Sequence, residues 1–366
     1  MPHLGILSYS IASDLEPSVR EWCIQQWQTY QPGTKFDDTI SRHKLWPTLE
    51  FCLRQNGLWE HLPPVLQQQL KKTRQEYALR QLQLLSQLEE LDTALTARGL
   101  AGILLKGSAL LFHPIYPSLG DRGTADIDIA VSLAEIPAFV EVLNSLNYAT
   151  ENPILPEINN RTHHLPEFFR SDSLKIEVHP LSTFDGITQQ FSQEIATTAE
   201  HPEGFTALKV PTPTELFWHI AWHGWFNHPQ LRNILDLYRL ESLYPVDLDT
   251  LTLRAGEYNL DGYWSCLLEQ MNAMVAGQST KATIHRWEWQ PTVSRHGYEM
   301  YLPERCVQQN WQNLFSSYSR IKYPLFRIVL YPAILPVRLS YVGSIYAEWL
   351  LSQLRFSRFT PLSPPA

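Results

Sequence analysis

Apolar residues recur at helical spacing through most of the chain, and between about residues 100 and 180 that rhythm gives way to the two-residue alternation of strands. From about Leu15 to Leu66 the pattern predicts short helices, broken at Gln31-Pro32-Gly33 and Leu62-Pro63-Pro64. The segment SRHKLWPTLEFCLRQNGLW mixes aromatic and aliphatic residues and reads as a core face; its His43 reads first as a structural histidine and second as one that reaches a site. The longest predicted helix runs from about Val65 to Arg98, with Leu70, Tyr77, Leu84, Leu88, Leu91 and Leu95 on one stripe and Gly99 as its stop. Leu100 to Leu105 then reads as a short buried strand that turns at Lys106-Gly107-Ser108 into a brief helix over Ala109–Phe112, interrupted by Pro114 and Pro117. A loop with Gly120 and Gly123 leads into the strand DIDIAV, and Ser132-Leu133-Ala134-Glu135 has the spacing of a capping box for a helix to about Asn147. Between His163 and Pro180 the pattern predicts a hairpin with its turn at Arg170-Ser171-Asp172-Ser173. Helices return beyond Gln190, one of them opened by Thr212-Pro213-Thr214-Glu215.

These elements make an α+β protein in three regions: N-terminal helices over 1–64, a mixed core over 65–205 and a C-terminal helical region over 206–366. With 366 residues and 44% hydrophobic positions, the chain can bury sizeable cores. No apolar run is long enough to span a bilayer, so membrane insertion is not expected; the N-terminus lacks a basic and apolar leader, which places the protein in the cytoplasm. The tail segment LFRIVLYPAILPV is read as helix and turn packed on the body. Cys23, Cys52, Cys266 and Cys306 are scattered and read as reduced, packed thiols. The net charge of −8 argues against a dedicated nucleic-acid binder, yet it is uneven: from Arg320 onward the chain carries +5, against −13 for the rest.

Candidate chemistry concentrates in KGSALLFHPIYPSLGDRGTADIDIAV, residues 106–131. Alternation along a strand puts Asp126 and Asp128 on one face and Ile127, Ile129 and Val131 on the other, and two carboxylates on one face can hold a metal ion. A Gly-Ser turn feeding a helix offers backbone N–H groups to phosphate. In the second hairpin arm, LKIEVH, Lys175, Glu177 and His179 share the polar face; beside the Asp126 strand with matching faces, Glu177 would bring a third carboxylate. His219 and His223 lie one turn apart, with packing or a substrate contact expected ahead of zinc. Arg232 and Asp236, four apart, read as a helix-surface ion pair.

The ordered set of Lys-Gly-Ser, an intervening arginine, Asp-Ile-Asp, the later IEVH and the downstream HGWFNHPQLRNILDLYRL resembles a bacterial family of nucleotidyltransferases within the polymerase β-like superfamily. The resemblance spans roughly Leu15 to Leu240, and the seventeen residues between Ser108 and Asp126 are more than many superfamily members have. It implies a polymerase β-like core, a small mixed sheet with helices, flanked by helical regions. It also implies transfer of a nucleoside monophosphate from a nucleoside triphosphate, ATP foremost, to a hydroxyl, with pyrophosphate released. Asp126 and Asp128 would hold Mg²⁺, or Mn²⁺, and Glu177 would be the third ligand and a candidate to take the acceptor proton. Gly107 and Ser108 would contact the β- and γ-phosphates. Lys106 or Arg122 would neutralise the leaving pyrophosphate, with Arg122 favoured for its forked geometry. His179 and His223 are candidates for contacts to the acceptor or around the metal. A small molecule or a peptide is the expected acceptor, with an RNA end as the alternative enzyme reading and a non-catalytic nucleotide-binding scaffold as the alternative class.

Overall fold

A computed structural model describes residues 2–13, 15–150, 165–181, 193–226, 230–257, 264–265, 267–269, 271–272, 289–293 and 299–303. Cys266, Cys306 and the basic tail from Arg320 lie outside these residues. The fold is mixed α and β. Helices α1 (Pro2–Ile11), α2 (Pro17–Gln28), α3 (Lys35–Arg42) and α4 (Trp46–Gln55) precede the long helix α5 (Pro64–Thr96). Pro64 opens α5 at a position where the missing N–H costs nothing, and Gly99, at φ +64°, ends it in a left-handed turn closed by Leu100 N–H on the Leu95 carbonyl. The expected leucine stripe is the buried one: Leu70, Leu84, Leu88, Leu91 and Leu95 are all removed from water, with Tyr77 half-buried.

The sheet contains β1 (Gly102–Leu104), β2 (Asp126–Ser132), β3 (Ala149–Thr150), β4 (Phe168–Phe169), β5 (Lys175–Leu181) and β6 (Leu208–Lys209), in the order β3-β4-β5-β2-β1-β6. β2 runs parallel to β5 and antiparallel to β1, so the two strands with the polar residues are the central neighbours. Ile127, Ile129, Ile176 and Val178 are fully buried, and α7 (Ile136–Ser145) packs on β2 and α5 with its Phe139 and Val142 buried. β4 and β5 form the expected hairpin, with Phe168 opposite Ile176.

Polar side chains of α5 hold the sheet edges. Asp92, buried, accepts the backbone N–H groups of Thr206, Ala207 and Leu208 at the start of β6. The Gln87 amide donates to the Leu174 carbonyl (2.7 Å) and accepts the Leu174 N–H (2.9 Å), fixing the entry to β5. Gly120 and Gly123 let the loop before β2 lie on the same helix: a Cβ on Gly120 would overlap the Arg74 carbonyl, and one on Gly123 the Tyr77 ring.

Beyond the sheet come α8 (Pro213–Phe226), α9 (Leu231–Leu243) and α10 (Leu248–Glu257), then a two-stranded ladder of β7 (Trp289–Val293) and β8 (Glu299–Pro303) in a region expected to be helical. Thr212 caps α8 as expected, its hydroxyl accepting Glu215 N–H at 3.3 Å. Three local expectations are corrected. The brief helix α6 covers Lys106–Ala109 rather than Ala109–Phe112, so Gly107 and Ser108 lie inside it. The capping box at Ser132 does not form, because Ser132 still belongs to β2, paired with Leu181, and α7 starts only at Ile136 with Pro137 in its first turn. Asp236 faces inward with no exposure instead of pairing with Arg232 on the surface.

Candidate active site

The register of the two central strands places the polar residues together. In a parallel pair, partners in register project to the same face, and here Asp126 faces Lys175, Asp128 faces Glu177 and Ala130 faces His179. The small Ala130 leaves room for the His179 ring, whose Nε2 lies 2.9 Å from Asp128 Oδ1. An ionised carboxylate only accepts hydrogen bonds, so His179 Nε2 carries the proton in this pair. One potential ligand atom each from Asp128, Glu177 and His179 lie within 4.8 Å of one another. Asp126 stands at the rim, its side chain one-third exposed.

Two ammonium groups face these carboxylates. Lys106 Nζ is 2.6 Å from Asp128 Oδ1, in a residue held at φ +48°, a conformation that L side chains rarely adopt. Lys175 Nζ lies 2.7 Å from Glu177, 2.5 Å from Glu167 and 3.8 Å from Asp126. These charges explain the proton affinities. Burial by itself would push the Asp128 carboxyl up, but Lys106 and His179 hold it well below the usual carboxylate range. Burial likewise opposes ionisation of Glu177, yet the hydrogen bond from Lys175 brings it below its ordinary value. Asp126 goes the other way, raised by burial and by its neighbours Asp128 and Glu177. It is the carboxylate whose charge is least compensated.

The donor set fits a divalent cation. The carboxylate oxygens of Asp128 and Glu177 are hard ligands of the kind Mg²⁺ or Mn²⁺ takes, and His179 would join them through a ring nitrogen free of its proton, a borderline donor that suits Mn²⁺ better than Mg²⁺. The two lysines lying against the same carboxylates show that the cluster is built around positive charge.

The remaining expected residues are placed as follows. Gly107 backs onto the Arg122 guanidinium and Thr124, where a Cβ would collide with both. The Ser108 hydroxyl accepts Asp128 N–H at 3.2 Å, and Ser108 N–H is bonded to the Leu105 carbonyl, so this residue pins β2. Arg122 binds Asp236 through Nε (3.1 Å) and Nη2 (2.9 Å), and Tyr116 donates to the same carboxylate at 2.9 Å. His219 and His223 stack with ring centroids 6.3 Å apart, and among the described residues neither belongs to a group of three potential metal ligands. Burial first, then the charges of Lys106 and His179, hold His219 down to about 3. His43 is structural: it is buried, and its Nδ1 accepts Leu231 N–H at 3.3 Å. Cys23 and Cys52 are buried thiols, both raised to about 12 by burial.

Sequence reading missed Lys175 as a counter-ion, Glu167 beside it, and the buried Asp236. For Lys175 the signal was its place on the polar face of LKIEVH; for Glu167 and Asp236 no local pattern marks the role.

No helix among the described residues is long and apolar enough to cross a membrane. No curated protein and no solved structure matches the chain. Residues 33–275, about two thirds of the sequence, match one family, described as uncharacterised nucleotidyltransferase. That span contains all of the acidic cluster, both facing lysines and the helices around them, and the chain belongs to this nucleotidyltransferase family.

Proposed function

We propose that the protein moves a nucleoside monophosphate from a nucleoside triphosphate, ATP foremost, to a hydroxyl of a small molecule or peptide, using a polymerase β-like arrangement of three carboxylates. The observation that carries this reading is the parallel register of β2 and β5, which sets Glu177 beside Asp128 with Asp126 on the same face. Asp128 and Glu177, with Asp126 at the rim, would hold divalent cations. Such an ion, when bound, neutralises phosphate charge and lowers the pKa of an acceptor hydroxyl.

The chain's own residues do the rest. Asp128 is preorganised, since Lys106, His179 and Ser108 bind its carboxylate and its backbone. Asp126 needs added positive charge most, and its exposure leaves it open to the incoming nucleotide. The acceptor oxygen forms its bond to the α-phosphorus as the bond to the β-phosphate oxygen breaks. Pyrophosphate leaves with that electron pair, and Glu177 accepts the hydroxyl proton. Lys106, already bound to Asp128, would meet the charge that develops on the phosphates. Arg122, bound to Asp236, instead braces the loop before β2. The net charge of −8 favours a neutral or cationic acceptor over RNA.

The test is transfer of label from an α-labelled triphosphate in the presence of Mg²⁺, across small-molecule, peptide and RNA acceptors. The wild-type chain should release pyrophosphate, and Asp126→Ala with Asp128→Ala should reduce that at least about a hundredfold. Nucleotide binding indifferent to metal, with no pyrophosphate on any acceptor, would refute the reading. Activity that survives Glu177→Ala would remove Glu177 from it.

A further inference from the structure

Lys44, Lys106, Arg122 and Arg232 lie close enough to repel one another near Asp126, and they are not equivalent. Lys106 is bound to Asp128 and Arg122 is bound through two nitrogens to Asp236, so both charges are already matched. Lys44 and Arg232 make no close ion-pair contact among the described residues; Asp126 attracts both and Asp236 attracts Arg232, without a direct contact. The two are brought side by side by one contact. His43 at the end of α3 accepts the N–H of Leu231 at the start of α9, and Lys44 and Arg232 are the next residue in each chain segment. Arg232 is further fixed by donating from Nη1 to the Gly123 carbonyl at 3.1 Å, three residues before Asp126. Its Nε is buried with no hydrogen-bond partner among the described residues. An arginine N–H left unused in this way points to a missing acceptor.

Lys44 carries a second mark. It sits at φ +52° just past α3, a position where glycine or asparagine is the ordinary choice, and its N–H and that of Leu45 close the turn on Ser41 and Ile40. Among the described residues only Lys44, Lys106 and Asn147 are non-glycine residues with positive φ. Asn147 belongs to a residue type that tolerates the left-handed region; the other two are lysines at this cluster. The Lys44 ammonium is disfavoured by burial and then by Arg232, with Arg122 and Lys106 adding to the repulsion and Asp126 partly relieving it. Two mutually repelling cations, relieved only in part by Asp126 and Asp236, favour an added anion between them.

We infer that Lys44 and Arg232 form a clamp for the β- and γ-phosphates of the triphosphate, drawing one cation from the helices before the sheet and one from those after it. This rests on the proposed nucleotidyl transfer. The guanidinium offers its free N–H in a fixed fork and the lysine a mobile point charge, a combination suited to an oligophosphate tail. The nucleoside monophosphate end belongs to the carboxylates, and the clamp does not touch it.

The test is equilibrium binding of an unreactive α,β-methylene triphosphate and of the nucleoside monophosphate, each with Mg²⁺, to the full chain and to Lys44→Gly and Arg232→Met. Each substitution should weaken the triphosphate at least about tenfold and leave the monophosphate within about twofold. Lys44→Gly should also raise the melting temperature, because glycine relieves the left-handed strain, so loss of binding there cannot come from unfolding. Triphosphate affinity unchanged in Lys44→Gly, or equal losses for both nucleotides, would overturn the clamp and leave the transfer reaction standing. A wild-type chain that binds neither nucleotide would overturn both.

Discussion

Lys175 places one ammonium among Glu177, Glu167 and Asp126, and that single charge governs how the carboxylates meet a cation. Burial alone would lower its pKa; the hydrogen bonds to Glu167 and Glu177 outweigh burial and raise it. A divalent ion that settles on Glu177 and Asp126 must therefore displace or repel this ammonium. Lys175→Met removes the repulsion and should tighten Mn²⁺ binding in the absence of nucleotide by about tenfold, read from the free-ion signal in electron paramagnetic resonance; a charge a few ångströms away is worth that much even in a screened site. Unchanged or weaker Mn²⁺ binding would show that the ion settles clear of Lys175. The shared face of Asp126 and Asp128, and that of Lys175, Glu177 and His179, were legible in the sequence because strand alternation is a local pattern; the parallel pairing of the two strands and the contact of Lys106 with Asp128 were not. Nor was the partner of Arg122. Asp236 lies 114 positions away, and its four-residue spacing from Arg232 suggested a surface pair that burial rules out.

Helix α5 is legible as a stripe of leucines, yet the stripe does not say how the sheet is held on it. That is done by Asp92 and Gln87, polar residues on the buried side, whose partners at the entries to β5 and β6 are set by tertiary contact alone. Asp92→Ala would leave the N–H groups of Thr206, Ala207 and Leu208 without their carboxylate, and should destabilise the fold by at least about 3 kcal/mol in urea unfolding. A loss below about 1 kcal/mol would mean that water replaces the carboxylate at that edge. The loop before β2 makes a parallel case. Gly120 touches the α5 backbone itself, which cannot move aside, so Gly120→Ala should cost roughly 1–3 kcal/mol. The same substitution should lower activity by shifting Arg122 and the start of β2. The glycines could be read as a loop from the sequence, but the need for close approach comes from a helix some 45 residues earlier.

Across the whole molecule the described buried residues form one continuous core, from Leu7 and Trp27 through the α5 leucines to the sheet and on to Leu235 and Leu240. His43 sits where the N-terminal helices join α9, a contact between residues 188 positions apart that no local pattern could reveal. Burial, with Arg42 nearby, holds its imidazole down to about 4, so at neutral pH it is the uncharged acceptor that Leu231 N–H requires. The unfolded chain binds a proton at His43 near pH 6.5 and the folded chain only near 4. Between those values the unfolded state holds more protons, so this contribution to stability is complete above pH 6.5 and is lost as pH falls, by about 1.4 kcal/mol per unit. His219, held down to about 3, acts with the same sign, whereas Asp121 and Asp126, both raised by burial, act against it. The total slope therefore mixes several groups, and the difference between wild type and His43→Asn isolates this one. In urea unfolding at pH 7.5, 6, 5 and 4.5 the penalty of His43→Asn should be greatest at neutral pH and shrink steadily toward pH 4.5, because only the wild type has that imidazole left to protonate. A penalty constant across the series would mean that His43 is charged or solvated in the folded protein, and that the junction carrying Lys44 and Arg232 is held by something else.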